Sequence, residues 1–417
     1  MPSASESLSI EDIYNFVDNN CFSGGSRGKV GVELEWLTFV LGNLNEKVSF
    51  DLLTKIVNST QPLLAGSKLS LEPGGQLELS TCTYSNLFAL LESVKSDYSI
   101  LKEKLYDFNI DLVGIGLDTK RPYERIVPWS RYVTMESFFD SFGSEGRTMM
   151  CGTASIQINI DLQGSLGMEQ RWQLAHCLGP VLAACFANSP AKIGTEIFHS
   201  ARLANWAKMD HSRTSPVFDS QYLKPPSRSW AEYALNAKVM GIKEKNGNYG
   251  YFGNSFSFRD WILQGHQLGY PTLEDFAYHL TTLFPPIRPK GWLELRMIDS
   301  LPDPWWEVAI AITTVLFEDP IASKKALEAT SHIGKRWNQA AQLGLGDEVL
   351  FQAAQKCWGF AMDALYRQSL DVSVINLCEK FFDRYISKGL TLSSNFFNSR
   401  LMEGSENGAK TNNCKSA

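Results

Sequence analysis

The chain lacks the short motifs of the commonest metal and nucleotide chemistries. It has no HExxH and only six scattered histidines, so a zinc centre is not expected. It has no GxxxxGK[ST] and no GxGxxG, so any nucleotide is held without those glycine loops. Its eight cysteines (Cys21, Cys82, Cys151, Cys177, Cys185, Cys357, Cys378 and Cys414) form no CxxC pair and are too sparse for a disulfide scaffold. Most read as small buried apolar residues in a reducing compartment. Positive charge is not in excess: 39 Lys and Arg against 45 Asp and Glu give a formal net charge of −6. Nucleic acid is therefore not expected as the main partner. Long hydrophobic runs are missing too. The longest, around 174–187 and 305–317, are too short to span a bilayer. The start, Met1–Glu6, has neither the basic nor the apolar region of a secretory signal. The expectation is a cytoplasmic protein with no membrane partner.

What is present is 417 residues, 44% apolar and 20% charged, enough for two average domains or one large core. Helical spacing of apolar residues predicts helices at 7–17, 50–57, 86–108, 168–188, 229–239, 272–284 and 305–317, and only helices from Ala322 to about Gly389. His176, inside one of them, reads as an ordinary core residue. Asn246-Gly247 predicts the turn of a hairpin over 241–253. The loop at 23–28 and the arginine-bearing stretch Asp118–Ser130, with Arg121, Arg125 and nearby Arg131, are candidate lids.

Four predicted strands share one design. In Lys29–Val40, Val32, Leu34 and Trp36 share one face, and Glu33 and Glu35 the other. Two such carboxylates lie roughly 6.5–7 Å apart. They read either as a solvated face or, if buried together, as a pair that needs a cation. In Leu71–Ser80, Pro73-Gly74-Gly75 makes a turn, and Gln76 and Glu78 then alternate with Leu77 and Leu79. Thr148–Asp161 reads as the cleanest strand, with Ile156, Ile158 and Ile160 opposite Gln157 and Asn159, uncharged groups suited to an oriented polar ligand. In Arg288–Asp299, Glu294 and Arg296 alternate with Leu293, Leu295 and Met297. A further segment, 200–214, carries Arg202, Trp206, Asp210 and Arg213 near helical spacing. It reads as carboxylate capture or as surface ion pairs.

If the four strands pair in one antiparallel sheet, their apolar faces pack on helices and their polar faces form one floor. Such a floor is rich in carboxylates and holds one arginine. Clustered carboxylates suit hard divalent ions such as Mg²⁺, and with arginine they suit phosphoryl transfer from a nucleotide triphosphate. A glycoside hydrolase would not need so many acids.

The blocks Gly31–Glu35, Leu71–Ser80, Thr153–Asp161 and Gly291–Arg296, in that order, resemble the signature blocks of glutamate–cysteine ligases. The segment Arg202…Trp206…Asp210…Arg213-Thr214 resembles that family's substrate-binding region. The similarity is to the plant-like and actinobacterial branch, the latter feeding ergothioneine synthesis. The resemblance implies an α+β fold with a glutamine-synthetase-like antiparallel catalytic sheet. It implies that ATP phosphorylates the γ-carboxylate of glutamate and that the amine of cysteine displaces phosphate, giving γ-glutamylcysteine, a glutathione precursor. By that similarity Glu33, Glu35, Glu72, Glu78 and Glu294 would hold Mg²⁺. Arg296 would neutralise the transferring phosphoryl, Gln157 and Asn159 would line the glutamate side, and Arg202 or Arg213 would hold a substrate carboxylate. The expected organisation is a catalytic unit over 1–320, a helical part of the same unit over 321–402 and a disordered tail over 403–417. Two other readings stay open: a ligase with another amine acceptor, and a non-catalytic sensor of nucleotide or amino acid on the same sheet.

Overall fold

The computed structural model describes residues 8–24, 28–217, 224–244, 247–253 and 256–397. The loop expected at 23–28 is thus described only in part. Asn246 and the tail 403–417 lie outside the described residues.

A seven-stranded sheet organises the chain. Its strands are β1 (Val30–Val40), β2 (Lys68–Leu71), β3 (Leu77–Ser80), β4 (Ile110–Val113), β5 (Ser155–Asp161), β6 (Ile287–Pro289) and β7 (Trp292–Asp299). The order is β6-β7-β5-β1-β3-β2, with β4 pairing the far end of β1, and every pair is antiparallel. The four strands singled out by their alternation are therefore consecutive neighbours: β7, β5, β1, β3. Glu35 stands opposite Glu78, Glu33 opposite Gln157, and Asn159 opposite Glu294. Residues directly opposite in an antiparallel pair share a face. The register alone thus gathers these side chains on one side of the sheet.

The other face is the core. Val32, Leu34, Trp36, Leu77, Leu79, Ile156, Ile158, Ile160, Leu293 and Leu295 are at most 1% exposed. Each such burial contributes about 1.5–3 kcal/mol. Helix Leu87–Tyr106, capped by the Asn86 side chain, lays Tyr98 on Trp36 with ring centroids 5.1 Å apart. Helix Trp305–Glu318 sets Trp306 edge-on to Tyr98 at 5.8 Å. Behind them lies helix Met168–Cys185, on which the C-terminal helices Pro320–Thr330 and Glu348–Arg367 pack. One cluster of buried apolar residues runs from Ile13 to Leu392. His176 is fully buried in it, and burial lowers its pKa to about 4, so it is a neutral core residue. Among the described residues every cysteine is free, and no helix is long and apolar enough to cross a membrane.

Two local expectations are corrected and one is completed. Residues 145–152 are helical, not the start of a strand, and β5 begins only at Ser155. Its first part is folded back so that Met149, Met150 and Cys151 fill a second apolar cluster with Phe138 and Phe139. Leu71–Ser80 holds the expected turn and strand, and the strand pairs back on a first one, β2, too short for its alternation to stand out. Segment 200–214 is two helices, Ala201–Lys208 and His211–Thr214, broken where Asp210 caps the second through the Ser212 amide. Arg202 and Arg213 therefore do not share a helical face.

Candidate active site

The polar face of the sheet floors a cavity of about 410 Å³. Glu33, Glu35, Glu72, Glu78, Gln157 and Arg296 all line it. Glu72 reaches it through the hairpin turn. Gly75 has φ +91°, a conformation a side chain disfavours, and a Cβ on Gly74 would lie 2.2 Å from the Cys151 carbonyl oxygen. Gln76 does not share the floor with Glu78. It is 3% exposed, and its Nε2 donates to the carbonyls of Met150 (3.1 Å) and Thr153 (2.9 Å), anchoring the turn from inside. The stretch 118–130, expected as a lid, is instead a brace: the amides of Ile126 and Val127 donate to the Pro73 carbonyl at 2.9 and 3.2 Å.

The four carboxylates are held unequally. Glu35 is fully engaged: Oε2 accepts from the Ser155 amide (2.8 Å) and hydroxyl (3.1 Å), and Oε1 from Gln157 Nε2 (2.7 Å). Glu78 Oε1 accepts from Ser70 and Ser80, at 3.0 and 2.9 Å. Glu33 Oε1 accepts from Asn159 Nδ2 at 3.1 Å. Among the described residues Glu33 Oε2, Glu78 Oε2 and both oxygens of Glu72 receive no hydrogen bond. Burial raises the pKa of all four, and mutual repulsion adds to it: Glu294 and Glu78 act on Glu33, Glu78 and Glu35 on Glu72, and Glu35 on Glu78. For Glu35 the nearby Arg296 and Arg202 oppose the rise.

Arg296 sits where the β5–β7 register slips between Leu295 and Ile298. Its Nη1 donates to Gln157 Oε1 and, at 3.0 Å, to Glu294 Oε2, while its Nε is buried without an acceptor. Burial alone would lower its pKa, but Glu294, Glu33 and Glu35 raise it, so it stays charged.

Glu294 departs from the metal-ligand expectation. It is 0% exposed and does not line the cavity, and three cations occupy both its oxygens: Arg288 (2.6 and 3.0 Å), Lys290 (3.1 Å) and Arg296 (3.0 Å). Burial would raise its pKa, but Arg288, Arg296 and Lys290 hold it well below the usual carboxylate range. As it stands it fixes cations rather than offering an oxygen. Asn159 is likewise outside the lining, its Nδ2 on Glu33 and its Oδ1 accepting from Trp292 Nε1 at 2.9 Å. Arg213 is 0% exposed, with Nε on Asp210 (3.0 Å), Nη1 on the Thr282 carbonyl (2.8 Å) and Nη2 on the Lys238 carbonyl (2.6 Å). No part of it is free for a substrate carboxylate. Arg202 is 1% exposed and lies behind the cavity wall. Its Nε binds Asp299 (2.7 Å), and its Nη2 binds the Arg296 carbonyl (3.2 Å), so it reaches the site through Arg296.

Sequence reasoning passed over two lining cations, Arg288 and Lys290, and placed a third, Arg131, only beside a candidate lid. Among the described residues Arg131 has no carboxylate ion-pair partner. It donates to the Thr281 hydroxyl (2.7 Å) and carbonyl (2.9 Å), and it is the cavity arginine best placed for a substrate carboxylate. The Arg288–Glu294 register of the β6–β7 hairpin is the signal that would have found the other two.

The donors fit a hard divalent ion chemically: oxygens only, several unengaged, and a negative charge that Arg296 alone does not balance. Among the described residues no three acidic, His or Cys side chains converge closely enough to cage an ion as they stand. The pKa shifts give a test independent of activity. The folded-state values of Glu33, Glu35, Glu72 and Glu78 lie above the ordinary 4.5. The unfolded chain loses these protons first, so their contribution to stability is full below that value and falls as pH rises towards the folded values. Mg²⁺ should therefore raise the melting temperature more at pH 8 than at pH 5. Equal shifts in scanning calorimetry would remove these carboxylates from the metal.

Comparison with known proteins agrees with this geometry. Residues 29–376 match the Glutamate-cysteine ligase family 2 (GCS2). The chain is 36% identical over 402 residues to glutamate–cysteine ligase EgtA of Mycolicibacterium smegmatis, covering 92% of this chain and 94% of that one. It is 28% identical over 353 residues to the chloroplastic glutamate–cysteine ligase of Nicotiana tabacum, covering 79% of this chain and 66% of that one. The fold is shared with a glutamate–cysteine ligase of Francisella tularensis solved in complex with AMP, at a TM-score of 0.50 and 9% identity over 89% of this chain and 85% of that one. The match spans every strand of the acidic floor, from β1 to β7, and on that ground the chain belongs to glutamate–cysteine ligase family 2.

Proposed function

We infer that this chain is an ATP-dependent glutamate–cysteine ligase. The observation that carries the reading is the convergence on one cavity of Glu33 and Glu35 from β1, Glu78 from β3, Arg296 from β7 and Glu72 from the turn between β2 and β3. Glutamate's γ-carboxylate takes the terminal phosphoryl of ATP, and ADP leaves. The amine of cysteine then attacks the acyl carbon, a C–N bond forms, the C–O bond to phosphate breaks, and the nitrogen gives up a proton.

Each residue has a part in holding this chemistry. Mg²⁺, when bound, would screen the triphosphate from the acidic floor and polarise its oxygens. Glu33, Glu72 and Glu78 would hold it with their unengaged oxygens, and Glu35 would hold it on releasing Ser155 or Gln157. Glu294 could join only if incoming phosphates drew Arg288 and Lys290 away. Arg296 donates to the phosphoryl in flight through the part of its guanidinium that lines the cavity. Gln157 keeps that fork and Glu35 in register by bonding both. Arg131 binds a carboxylate of an amino-acid substrate. The apolar wall across the cavity keeps water from the acyl phosphate. A cytoplasmic setting accords with the free cysteines.

Purified protein with Mg²⁺, ATP and glutamate should release ADP and phosphate on addition of cysteine and form γ-glutamylcysteine. No cysteine-stimulated release would overturn the reading. Turnover with another amine but not cysteine would reassign the acceptor on the same sheet.

A further inference from the structure

We propose that Trp292 is a positioning residue for the metal-binding carboxylate of Glu33 and acts on it through Asn159. The proposal rests on the placement of Mg²⁺ over the acidic floor in the ligase reading above. It deepens that reading by saying what aims one oxygen of the floor at the metal.

Two amide side chains of β5 serve the two acids of β1 in the same way. Gln157 stands opposite Glu33 and Asn159 opposite Gly31, yet each reaches diagonally to the acid two residues further along. Gln157 Nε2 donates to Glu35 Oε1 at 2.7 Å, and Asn159 Nδ2 donates to Glu33 Oε1 at 3.1 Å. Each amide oxygen is then taken by a donor from β7. Arg296 Nη1 donates to Gln157 Oε1, and Trp292 Nε1 donates to Asn159 Oδ1 at 2.9 Å. One crossing of three strands, from donor to amide to carboxylate, thus occurs twice. The first starts at a cation that lines the cavity. The second starts at an indole outside the lining, 36% exposed.

An indole at that point has a chemical consequence. A primary amide can be turned over so that its oxygen and nitrogen exchange places. The indole N–H donates and cannot accept. Turning the Asn159 amide over would set its NH₂ against that N–H and its oxygen against the Glu33 carboxylate. Two hydrogen bonds would become two repulsive contacts. Trp292 therefore fixes the orientation in which Asn159 donates to Glu33. With Glu33 Oε1 occupied, Oε2 is the oxygen left for the cavity. The support is also uncharged. Glu294, on the same face, is held by three cations, whereas Asn159 and Trp292 orient Glu33 without adding a positive charge that would compete with a metal. Groups that orient a metal-binding side chain in this way commonly set the affinity of the site.

The test uses Trp292→Phe, which removes the N–H and keeps an aromatic face for Lys290, whose Nζ lies 5.2 Å from the ring centre. It also uses Asn159→Leu, which removes the amide at similar volume, and the double variant. Each is titrated with Mg²⁺ beside a non-hydrolysable ATP analogue, with the melting temperature as readout, and assayed for ligation over the same Mg²⁺ range. Each single variant should raise the Mg²⁺ concentration at half-effect by about tenfold in both readouts. The KM values for glutamate and cysteine at saturating Mg²⁺ should hold. The double variant should need no more Mg²⁺ than Asn159→Leu alone, because Trp292 acts only through Asn159. An unchanged Mg²⁺ midpoint in either single variant overturns the proposal, and so do additive effects in the double variant. A metal-free melting temperature that falls while the Mg²⁺ midpoint stays put makes Trp292 a structural residue only and overturns it too. A raised KM for glutamate with the Mg²⁺ midpoint unmoved overturns it and returns Asn159 to the substrate side. The expected Mg²⁺ shifts in a protein without cysteine-stimulated turnover would uphold the proposal and overturn the ligase reading.

Discussion

Arg296→Ala should lower kcat by about 10²-fold or more, with the KM for cysteine little changed. The size follows from position. Arg296 faces the four floor carboxylates, whose charge repels a triphosphate unless something opposes it. Among the described residues it is anchored through Nη1 alone, on Gln157 and Glu294, so the rest of the guanidinium edge that lines the cavity is left to meet an incoming oxygen. A donor of this kind contributes most when charge moves onto the phosphoryl oxygens. Arg296→Lys should recover little, because an ammonium cannot bond Gln157 and Glu294 and still present a second planar donor. Steady-state kinetics on both variants checks this. An effect confined to the KM for cysteine would show that Arg296 serves acceptor binding instead.

Asp299→Ala should destabilise the protein by about 3–5 kcal/mol, the cost of leaving a buried charge without its partner. Asp299 is 1% exposed and accepts four hydrogen bonds: from the Asn188 amide (2.8 Å), the Ser189 and Ser200 hydroxyls (2.7 and 3.0 Å) and Arg202 Nε (2.7 Å). A Cβ on Gly116 would lie 2.7 Å from its carboxyl carbon, so the group is enclosed. Removing it orphans Arg202 in a dry site and loosens the Arg296 carbonyl that Arg202 holds. Denaturant unfolding measures the loss. An unchanged midpoint would mean that water or a rearranged Arg202 replaces the pair.

The sheet was legible in the sequence because burial of one face imposes a period of two. Val32-Glu33-Leu34-Glu35-Trp36 and Leu293-Glu294-Leu295-Arg296 each write both faces plainly, and the structure makes their strands part of one run of neighbours. The acids Glu33, Glu35 and Glu78 share the cavity for the same reason, while Glu72, named through the family resemblance, joins them from the hairpin turn. What stayed hidden depends on partners far away in the chain. Nothing near Arg213 announces that Thr282 and Lys238 will absorb its guanidinium. The cations on Glu294 were near at hand but needed the β6–β7 pairing, which sets Arg288 opposite it, to be read as its partners. Phe16 and Leu280 read locally as ordinary helix residues. Only the packing of three separate helices makes them one wall.

The order of the sheet also governs when it can be completed. β1 is made early, yet one of its sheet partners, β5, lies about 120 residues downstream, and the partner of β5, β7, about 130 further on. A growing chain that has released β1 to β5 still exposes one whole side of β5 as an unpaired edge, with Ile156, Ile158 and Ile160 on its apolar face. Such an edge invites pairing with another chain. Arg296 arrives on the strand that covers it. The cation that would complete the catalytic floor is therefore synthesised with the strand that ends this vulnerability, so an unfinished chain has neither a closed sheet nor a working site.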